Sequence, residues 1–289
     1  MGEKARVAVI GGSGLYDLKG FKDVHSVQPD TPFGKPSAPI QIGELDGQRV
    51  AFLARHGEGH RLSPSEVPYR ANIFALKALG VERIISVSAC GSLREELIPG
   101  HIVIPDQLFD HTKNRDRSFF SGGIVAHLST PDPFCPELSA WLAEAVQAAG
   151  GKVHRGGAFI TIEGPRFSTR SESHTYRAWG MSLIGMTAAP EAFLAREAEM
   201  CYAVMAHVTD YDVWHQSEAP VTVETVVQIL EQNTTLAQQS IGKLLRAMPP
   251  ERTCKCPNAL AGAIITRQDA LPFEVARKLA PLVGKYLAE

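Results

Sequence analysis

Several features that would define a protein class are absent from this chain of 289 residues. It has no apolar run of about 18 residues, so no membrane span is expected. Lysine and arginine number 29, against 31 aspartates and glutamates. That balance argues against nucleic-acid binding, which usually shows a basic excess or stripe. The first residues contain no apolar leader segment, and we therefore expect a cytoplasmic protein.

The sequence also lacks internal repeats and low-complexity tracts. Strand-like and helix-like segments of ordinary length follow one another instead. They predict an α/β fold over residues 1–289, a single domain with a central mixed β-sheet flanked by helices. Cysteines are few, and free buried thiols are their ordinary interpretation in a chain without a leader. The five are Cys90, Cys135, Cys201, Cys254 and Cys256.

The first strand leads into a glycine-rich turn. Val7–Ile10 predicts a buried strand, and the turn that follows brings backbone N–H groups and the Ser13 hydroxyl together. Such a turn can hold an anion. A dinucleotide-binding turn is the alternative, but Asp17 stands where its third glycine should be.

Two further strand ends carry groups that suit an oxyanion. Arg55 follows the predicted strand Arg49–Leu53, and Ser88 follows Val81–Val87. A guanidinium can bind an oxyanion with two N–H groups, and ligands of open α/β sheets lie at the carboxyl ends of strands. Together with the Ser13 turn, these groups predict a site for phosphate or a similar tetrahedral anion. No P-loop pattern is present.

Two carboxylates stand just after another buried strand, Tyr202–Val208. Asp210 and Asp212 are costly to bury there unless they bind something. A helix N-cap or a metal site are the other interpretations. Because no histidine or cysteine lies near them at ligand spacing, we expect no metal. Taken singly, Phe167 is more typical of a core residue, and His127 of a structural histidine.

Other segments give expectations about secondary structure. Asp46-Gly47 between two apolar stretches predicts a β-hairpin. The polar stretch Asp106–Gly123 predicts a long loop. The longest helical pattern is Thr222–Met248, and Pro272–Ala288 predicts one amphipathic closing helix.

Taken in order, these segments resemble the 5′-methylthioadenosine phosphorylases, the trimeric branch of the purine nucleoside phosphorylases. The similarity runs from about Val7 to about Val226 and weakens beyond, leaving a divergent C-terminal tail from about residue 250. Its most specific strings are Gly11-Gly12-Ser13-Gly14-Leu15, Thr31-Pro32-Phe33-Gly34-Lys35-Pro36-Ser37, Leu53-Ala54-Arg55-His56-Gly57, Ala89-Cys90-Gly91-Ser92-Leu93-Arg94-Glu95-Glu96, Thr161-Ile162-Glu163-Gly164-Pro165-Arg166-Phe167-Ser168 and Thr209-Asp210-Tyr211-Asp212.

The resemblance implies a role for individual positions. It implies no cofactor, inorganic phosphate as a co-substrate, a nucleoside as the other substrate, and a homotrimer or a dimer of trimers. His127 would come from the adjacent subunit and lie near the 5′ substituent. The implied phosphate site comprises Ser13, Arg55, His56, Ser88, Ala89 and Thr187; the implied nucleoside site comprises Phe167, Ser168, Met186, Asp210, Asp212, Val223 and Val226.

Adenine is the base that this resemblance favours. A carboxylate such as Asp210 accepts a hydrogen bond from a 6-amino group and repels a 6-oxo group, whereas the related 6-oxopurine branch has asparagine there. Val223 and Val226 would favour a methylthio group, although apolar pockets discriminate by only about 1–3 kcal/mol. The alternatives are a 6-oxopurine nucleoside or 5′-methylthioinosine phosphorylase, a dehydrogenase-like nucleotide-binding module, and a non-catalytic trimeric scaffold.

Cys254-Lys255-Cys256 departs from the commonest family pattern. It is similar to a Cys-X-Cys tail of family members from hot environments, in which cytosolic disulfides occur. The resemblance therefore raises a Cys254–Cys256 disulfide, with Cys135–Cys201 as a second pair. Such closely spaced cysteines close a strained ring. The other interpretation is that all five cysteines are reduced.

Overall fold

A computed structural model describes residues 4–11, 20–215 and 222–287, without the side chains of residues 225–228 and 230–232. Strands and helices are interspersed along the described chain, which is typical of an α/β fold with a mixed sheet. The strands are β1 Val7–Gly11, β2 Lys22–Val27, β3 Ile40–Leu45, β4 Gln48–Ala54, β5 Arg83–Ser92, β6 Ile102–Ile104, β7 Gln107–His111, β8 Val153–Arg155, β9 Ala158–Ile162, β10 Leu183–Gly185 and β11 Cys201–Asp210. The helices are α1 Tyr69–Ala78, α2 Pro136–Ala148, α3 Arg170–Ala178, α4 Ala188–Glu197, α5 Val223–Ala247, α6 Phe273–Lys278 and α7 Ala280–Leu287.

All the strands belong to one mixed sheet, which confirms the predicted architecture. One path runs β2-β3-β4-β1-β5-β10-β9-β7, and β5 also pairs with β11, which continues to β6 and β8. Strands β1, β4, β5 and β11 are parallel to their neighbours within this group. Every residue of β1 is buried, as is usual for a parallel strand covered on both faces.

The parallel strands end at one edge of the sheet, and their register brings specific residues together there. Gly11 is aligned with Ala54 of β4 and with Val87 of β5. On the other side of β5, the end of β11 is aligned so that Asp210 pairs with Gly91, after an irregularity between Val208 and Asp210. The groups that follow β4, lie late in β5 and end β11 therefore converge.

Local sequence signals explain several boundaries. The predicted hairpin is confirmed: β3 and β4 are antiparallel, and both Asp46 (φ 51°) and Gly47 (φ 75°) have the left-handed conformation of a tight primed turn. Helix α3 begins with a capping box, in which the Thr169 side chain accepts from the Glu172 N–H and the Glu172 carboxylate accepts from the Thr169 N–H.

Three expectations about secondary structure were wrong. Strand β5 does not end at Val87 but continues through the small residues to Ser92. The stretch predicted as a long loop contains β7, whose polar residues pair with β9. The predicted closing helix is two helices, α6 and α7, divided at Leu279. In each case pairing or packing with distant elements outweighs the local pattern.

Helices cover the sheet and complete the core. Helices α2 and α5 pack against each other and against β11, while α1 packs on α4. The C-terminal segment joins the same core through fully buried residues such as Leu260 and Val283. The divergence of this segment from about residue 250 remains a prediction. Among the described residues, no helix combines the length and apolar character needed to cross a bilayer.

Glu197 near the end of α4 gives a prediction about stability. Burial raises the pKa of its carboxyl to about 7, although the Phe119 N–H donates to Oε2 over 2.7 Å and opposes the rise. Between pH 4.5 and 7 the folded state keeps a proton that the unfolded state has lost, so stability falls as pH rises through this window. In the wild type, the free energy of unfolding should fall by up to about 3 kcal/mol across this window. We expect Glu197→Gln, which cannot titrate, to abolish that fall.

Urea titrations at pH 5 and pH 8 check this expectation. The exposed Glu144→Gln on α2 is the matched control and should leave the pH dependence unchanged. An identical fall in the wild type and in Glu197→Gln would contradict the assignment.

Candidate active site

A cavity of about 790 Å³ lies at the carboxyl ends of β4, β5 and β11. Most of the residues selected from the sequence line it, although they come from distant parts of the chain. Ser13 and the side chain of Val226 lie outside the described residues. The predicted residues in the cavity wall are Arg55, His56, Ser88, Ala89, Phe167, Ser168, Met186, Thr187, Asp210, Asp212 and Val223.

Arg55 at the end of β4 is paired in a way that the sequence did not indicate. Its Nε donates to Glu191 Oε2 over 2.8 Å and its Nη2 to Glu191 Oε1 over 3.0 Å, so the two-pronged contact is made within the protein. Nη2 also donates to Ser86 Oγ, and Nη1 to the Val87 carbonyl oxygen. Among the described residues, only Nη1 keeps an N–H that these acceptors do not use. While Arg55 is paired with Glu191 it has no second free N–H for a two-pronged contact with an oxyanion, and its phosphate role remains a prediction.

The pairing of Arg55 has an electrostatic reason. Both side chains are almost completely buried, and an always-charged guanidinium requires a carboxylate when it is removed from water. Burial alone would lower the pKa of Arg55, but the Glu191 carboxylate raises it above the ordinary value. Arg55 therefore stays charged beneath the cavity, and its orientation is fixed.

His56, the next residue, is neutral at pH 7. Burial, with a contribution from the Arg55 charge, lowers the pKa of its ring to about 4. Nδ1 lies 2.9 Å from the Leu62 carbonyl oxygen, which can only accept, so Nδ1 carries the proton. Nε2 then presents a lone pair, which an anion would avoid. If His56 contacts phosphate as predicted, the contact is therefore made by its backbone and not by its ring.

Three buried polar atoms in the cavity wall have no hydrogen-bond partner among the described residues. They are Ser88 Oγ, Ser168 Oγ and Asp212 Oδ2. Leaving a polar atom buried without a partner costs about 1–3 kcal/mol. Such atoms are available to a polar ligand, and their distribution indicates one that carries both donors and acceptors.

The two carboxylates at the end of β11 are arranged differently from each other. Asp210 Oδ2 accepts from the Thr209 hydroxyl over 2.6 Å, and Oδ1 accepts from the Asp212 N–H over 2.7 Å. Asp212 has φ 52°, a left-handed conformation that aspartate tolerates better than most residues. Asp210 is thus held by its neighbours, whereas Asp212 lies in the cavity wall beside the hydroxyls of Ser168 and Ser173.

Both carboxyl groups are easier to protonate than an ordinary aspartate. Burial raises the pKa of Asp210, and burial raises the pKa of Asp212 to about 6. The Ser173 hydroxyl opposes the rise at Asp212, and the nearby Asp210 charge adds to it. An interacting pair of this kind titrates as a unit. A protonated carboxyl, which can give its proton to a ligand, is therefore more accessible here than in an ordinary aspartate.

Apolar residues form the remaining wall. Phe167 exposes 37% of its surface, so a flat ligand can reach its ring, and Ile162 and Ile184 lie on the cavity as well. Gly164 in the loop before Phe167 has φ 68°, and a Cβ there would lie 2.6 Å from Met186 Sδ. Glycine is therefore needed at 164 to place this loop beside Met186.

His127 is exposed and does not line the cavity of its own chain. Its backbone N–H donates to the Ala263 carbonyl oxygen over 2.9 Å, which ties this loop to the C-terminal segment. The predicted contribution of His127 to a neighbouring subunit remains a prediction.

Several residues of the site were not selected from the sequence. Glu191 resembled an ordinary acidic residue in the first turn of a helix, and only its distance of 136 positions from Arg55 explains why the pair was missed. Further residues of the cavity wall that were not selected as site residues are His60, Arg61, Leu62, Ser63, Pro64, Glu66, Cys90, Gly91, Ile162, Pro165, Ile184, Gly185 and Thr209.

Gly91 on β5 positions the carboxylates and gives a second prediction. A Cβ at this position would lie 2.8 Å from Asp210 Oδ1, 3.0 Å from Ile184 Cγ2 and 3.3 Å from Asp212 Cβ. We expect Gly91→Ala to displace the Asp210 carboxylate and to lower kcat/KM about 10²-fold, since a misplacement of about 1 Å has an effect of that order.

Steady-state kinetics and a thermal unfolding curve measure this effect. Gly284→Ala on α7 is the control, because no atom lies within 4 Å of a Cβ there. Wild-type kinetics in Gly91→Ala would mean that the Asp210 position is not important.

The chain belongs to the phosphorylase superfamily, whose sequence model matches residues 6–247. It is 54% identical over 282 residues to the S-methyl-5′-thioadenosine phosphorylase of Geobacter sulfurreducens, covering 97% of this chain and 99% of that protein. The phosphorylase of the same name from Chloroflexus aurantiacus is also 54% identical, with 98% of each chain covered. The chain is therefore a member of the S-methyl-5′-thioadenosine phosphorylase family.

Solved structures agree with this membership. A methylthioadenosine phosphorylase from an antarctic soil metagenomic library has a TM-score of 0.92 at 48% identity, covering 97% of this chain and 99% of that one. The methylthioadenosine phosphorylase of Schistosoma mansoni in complex with adenine has a TM-score of 0.86 at 36% identity, covering 92% and 100%. The fold and family that the sequence strings implied are thereby confirmed.

Proposed function

We propose that this protein catalyses the phosphorolysis of 5′-methylthioadenosine to adenine and 5-methylthioribose 1-phosphate, a reaction of purine and methionine salvage. A phosphate oxygen forms a bond to C1′ of the ribose as the bond from C1′ to N9 of the purine breaks. The observation that carries the proposal is that one cavity contains both a buried, protonatable carboxyl pair and a fixed guanidinium with hydroxyl groups. The names of the relatives agree with it.

The chemistry of the reaction requires two opposed sets of groups. Positive charge develops on the ribosyl group and negative charge on the departing purine. Asp210 donates a hydrogen bond or its proton to N7 of the base, and burial, which raises its pKa, favours the protonated form that this role requires. Phosphate is itself the nucleophile, so no covalent intermediate with the protein and no cofactor is needed. Ser13, Arg55, Ser88, Ala89 and Thr187 hold the phosphate, with the His56 backbone beside them.

Base and sugar recognition follow from the other walls. Phe167 stacks on the purine, Ser168 and Asp212 bind polar atoms of the base, and Met186 contacts the ribose. Val223 and Val226 contact the methylthio group. Discrimination by a buried polar partner can reach about 10⁴-fold, whereas an apolar pocket gives about 1–3 kcal/mol. Selectivity for the 6-amino purine is therefore expected to exceed selectivity for the 5′ substituent.

One kinetic comparison tests this function. Release of adenine from 5′-methylthioadenosine is measured with and without inorganic phosphate, beside adenosine and 5′-methylthioinosine. We expect phosphate-dependent release and the highest kcat/KM with 5′-methylthioadenosine. Release that needs no phosphate would reject phosphorolysis, and a preference for 5′-methylthioinosine would favour a 6-oxopurine phosphorylase instead.

The assembly is part of the proposal: a homotrimer in which His127 lies near the 5′ group of the adjacent subunit's substrate, in the cytoplasm. The exposed position of His127 away from its own cavity supports this arrangement. We expect His127→Ala to raise KM for 5′-methylthioadenosine several-fold while leaving KM for phosphate unchanged, because it removes one contact to the substrate.

Steady-state kinetics with each substrate varied gives the two KM values, and light scattering gives the mass of the assembly. His174→Ala on α3, which changes an exposed histidine outside the cavity wall, is the control. A monomer with full activity, or equal changes in both KM values, would contradict the proposed placement of His127.

A further inference from the structure

Four of the five cysteines converge at a place remote from the cavity. Cys135 immediately precedes α2, and Cys201 is the first residue of β11. Cys254 and Cys256 belong to the segment that follows α5. Cys135, Cys201 and Cys256 are almost fully buried, and Cys254 is partly exposed. Three separate stretches of chain therefore bring their thiols to one point, whereas Cys90 lies apart in the cavity wall.

The sulfur atoms have the spacing of a coordination shell. All four Sγ atoms lie within 4.8 Å of one another, and those of Cys201 and Cys254 are 3.4 Å apart. Four thiolates around Zn²⁺ at about 2.3 Å form a tetrahedron with edges of roughly 3.8 Å. Mutual proximity of all four is what a single central ion requires, while two disulfides would need proximity only within each pair. The four are free cysteines, and none is joined to another.

The surroundings favour thiolates. The Arg196 guanidinium donates from Nη1 to Cys256 Sγ over 3.3 Å. Cys135 occupies the N-cap position of α2, a helix of 13 residues, so its thiol lies at the positive end of the helix dipole. A Zn²⁺ ion with four thiolates carries a net charge of −2. The guanidinium and the helix end reduce the cost of burying it, as groups around a metal site commonly do.

We propose that Cys135, Cys201, Cys254 and Cys256 bind one Zn²⁺ ion in a tetrahedral site of four thiolates. Binding releases the four thiol protons to solvent and involves no oxidant. Because cysteine occupies every position of the shell, no place is left for water or substrate, and the site is structural. Soft thiolate ligands in a tetrahedron select zinc over magnesium or calcium.

The ion would fasten the C-terminal segment to the sheet. Hydrogen bonds already hold part of that segment: Arg83 of β5 donates to the carbonyl oxygens of Pro249 and Glu251, and Arg252 donates to that of Glu199. The metal adds a bond from Cys254 and Cys256 to β11 and to the start of α2. Its loss should therefore loosen this segment before it affects the strand ends around the cavity.

Metal analysis of the full-length protein tests the site. The protein is purified without chelator or added metal, and zinc is measured by mass spectrometry. We expect about one zinc per chain, and a loss of most of it in Cys254→Ser and in Cys256→Ser. Cys90→Ser, which removes the buried cysteine outside the cluster, is the matched control and should keep its zinc.

A second measurement uses the wild type, so it does not depend on the folding of a variant. A mercurial reagent that titrates thiols is added stepwise, and released zinc is followed with a chromogenic chelator. Zinc should appear in step with the modification of four thiols, and exchange with Co²⁺ should give the visible absorption of a tetrahedral thiolate site. Disulfide-linked peptides, iron in place of zinc, or four reduced thiols without metal would each overturn the proposal.

Discussion

Asp210→Asn is expected to lower kcat/KM for 5′-methylthioadenosine by about 10²- to 10⁴-fold, the range typical of a lost general acid. The amide cannot give a proton to N7 of the leaving base. It can, however, donate a hydrogen bond to a 6-oxo group, which the carboxylate would repel. The ratio of kcat/KM for 5′-methylthioadenosine to that for 5′-methylthioinosine should therefore fall, and the activity with the 6-oxo substrate should decline less or rise.

The effect is measured by steady-state kinetics with both nucleosides at saturating phosphate. Asp132→Asn changes an exposed aspartate in the same way and should leave both values unchanged. A thermal unfolding curve separates loss of the proton donor from loss of fold, since Asn has nearly the shape of Asp. An equal loss with both nucleosides would preserve the acid role but contradict the role of Asp210 in selecting the base.

Residues at strand ends could be predicted because one physical rule governs them. Arg55 and Asp210 each follow an apolar run, and parallel strands direct such positions to the same edge of the sheet. The apolar composition of these strand segments explains why they are buried. The cavity could thus be anticipated from local patterns and the strings of the family resemblance, without any knowledge of strand order.

Pairings between distant residues could not be predicted in the same way. The continuation of β5 through Ser88 to Ser92 depends on β10 and β11, which pair with small residues that locally indicate a turn. Likewise, the polar strand β7 exists because β9 offers it a free edge. Strand formation by such sequences reflects tertiary context more than intrinsic preference.

The cysteines show the same limit in a different form. The family resemblance raised two separate pairs, Cys254 with Cys256 and Cys135 with Cys201, but not a single set of four. Cys135 and Cys201 meet them through the packing of α2 and β11 with the C-terminal segment. A set of four ligands drawn from three stretches becomes visible only when those stretches are folded together.

The ion pair between Arg55 and Glu191 is another pairing of distant residues that the sequence did not indicate. Glu191 is fully buried and accepts from two nitrogens of Arg55. It also accepts from the Tyr202 hydroxyl over 2.7 Å and from Ser86 Oγ over 3.3 Å. The carboxylate is thus the acceptor at the centre of a network that joins β4, β5, α4 and β11. The Arg55 guanidinium has no other anionic partner among the described residues.

Glu191→Ala is accordingly expected to destabilise the protein by about 3–5 kcal/mol, because removing one member of a buried pair leaves the other charge uncompensated. Urea unfolding at pH 7 measures this loss, and Glu274→Ala, which breaks the exposed pair with Arg277, should change stability by no more than about 1 kcal/mol. The double variant Arg55→Met with Glu191→Leu should recover much of the stability, since it leaves no unpaired buried charge, yet it should remain inactive without the guanidinium. If Glu191→Ala were as mild as Glu274→Ala, the charge of Arg55 would not be what Glu191 compensates.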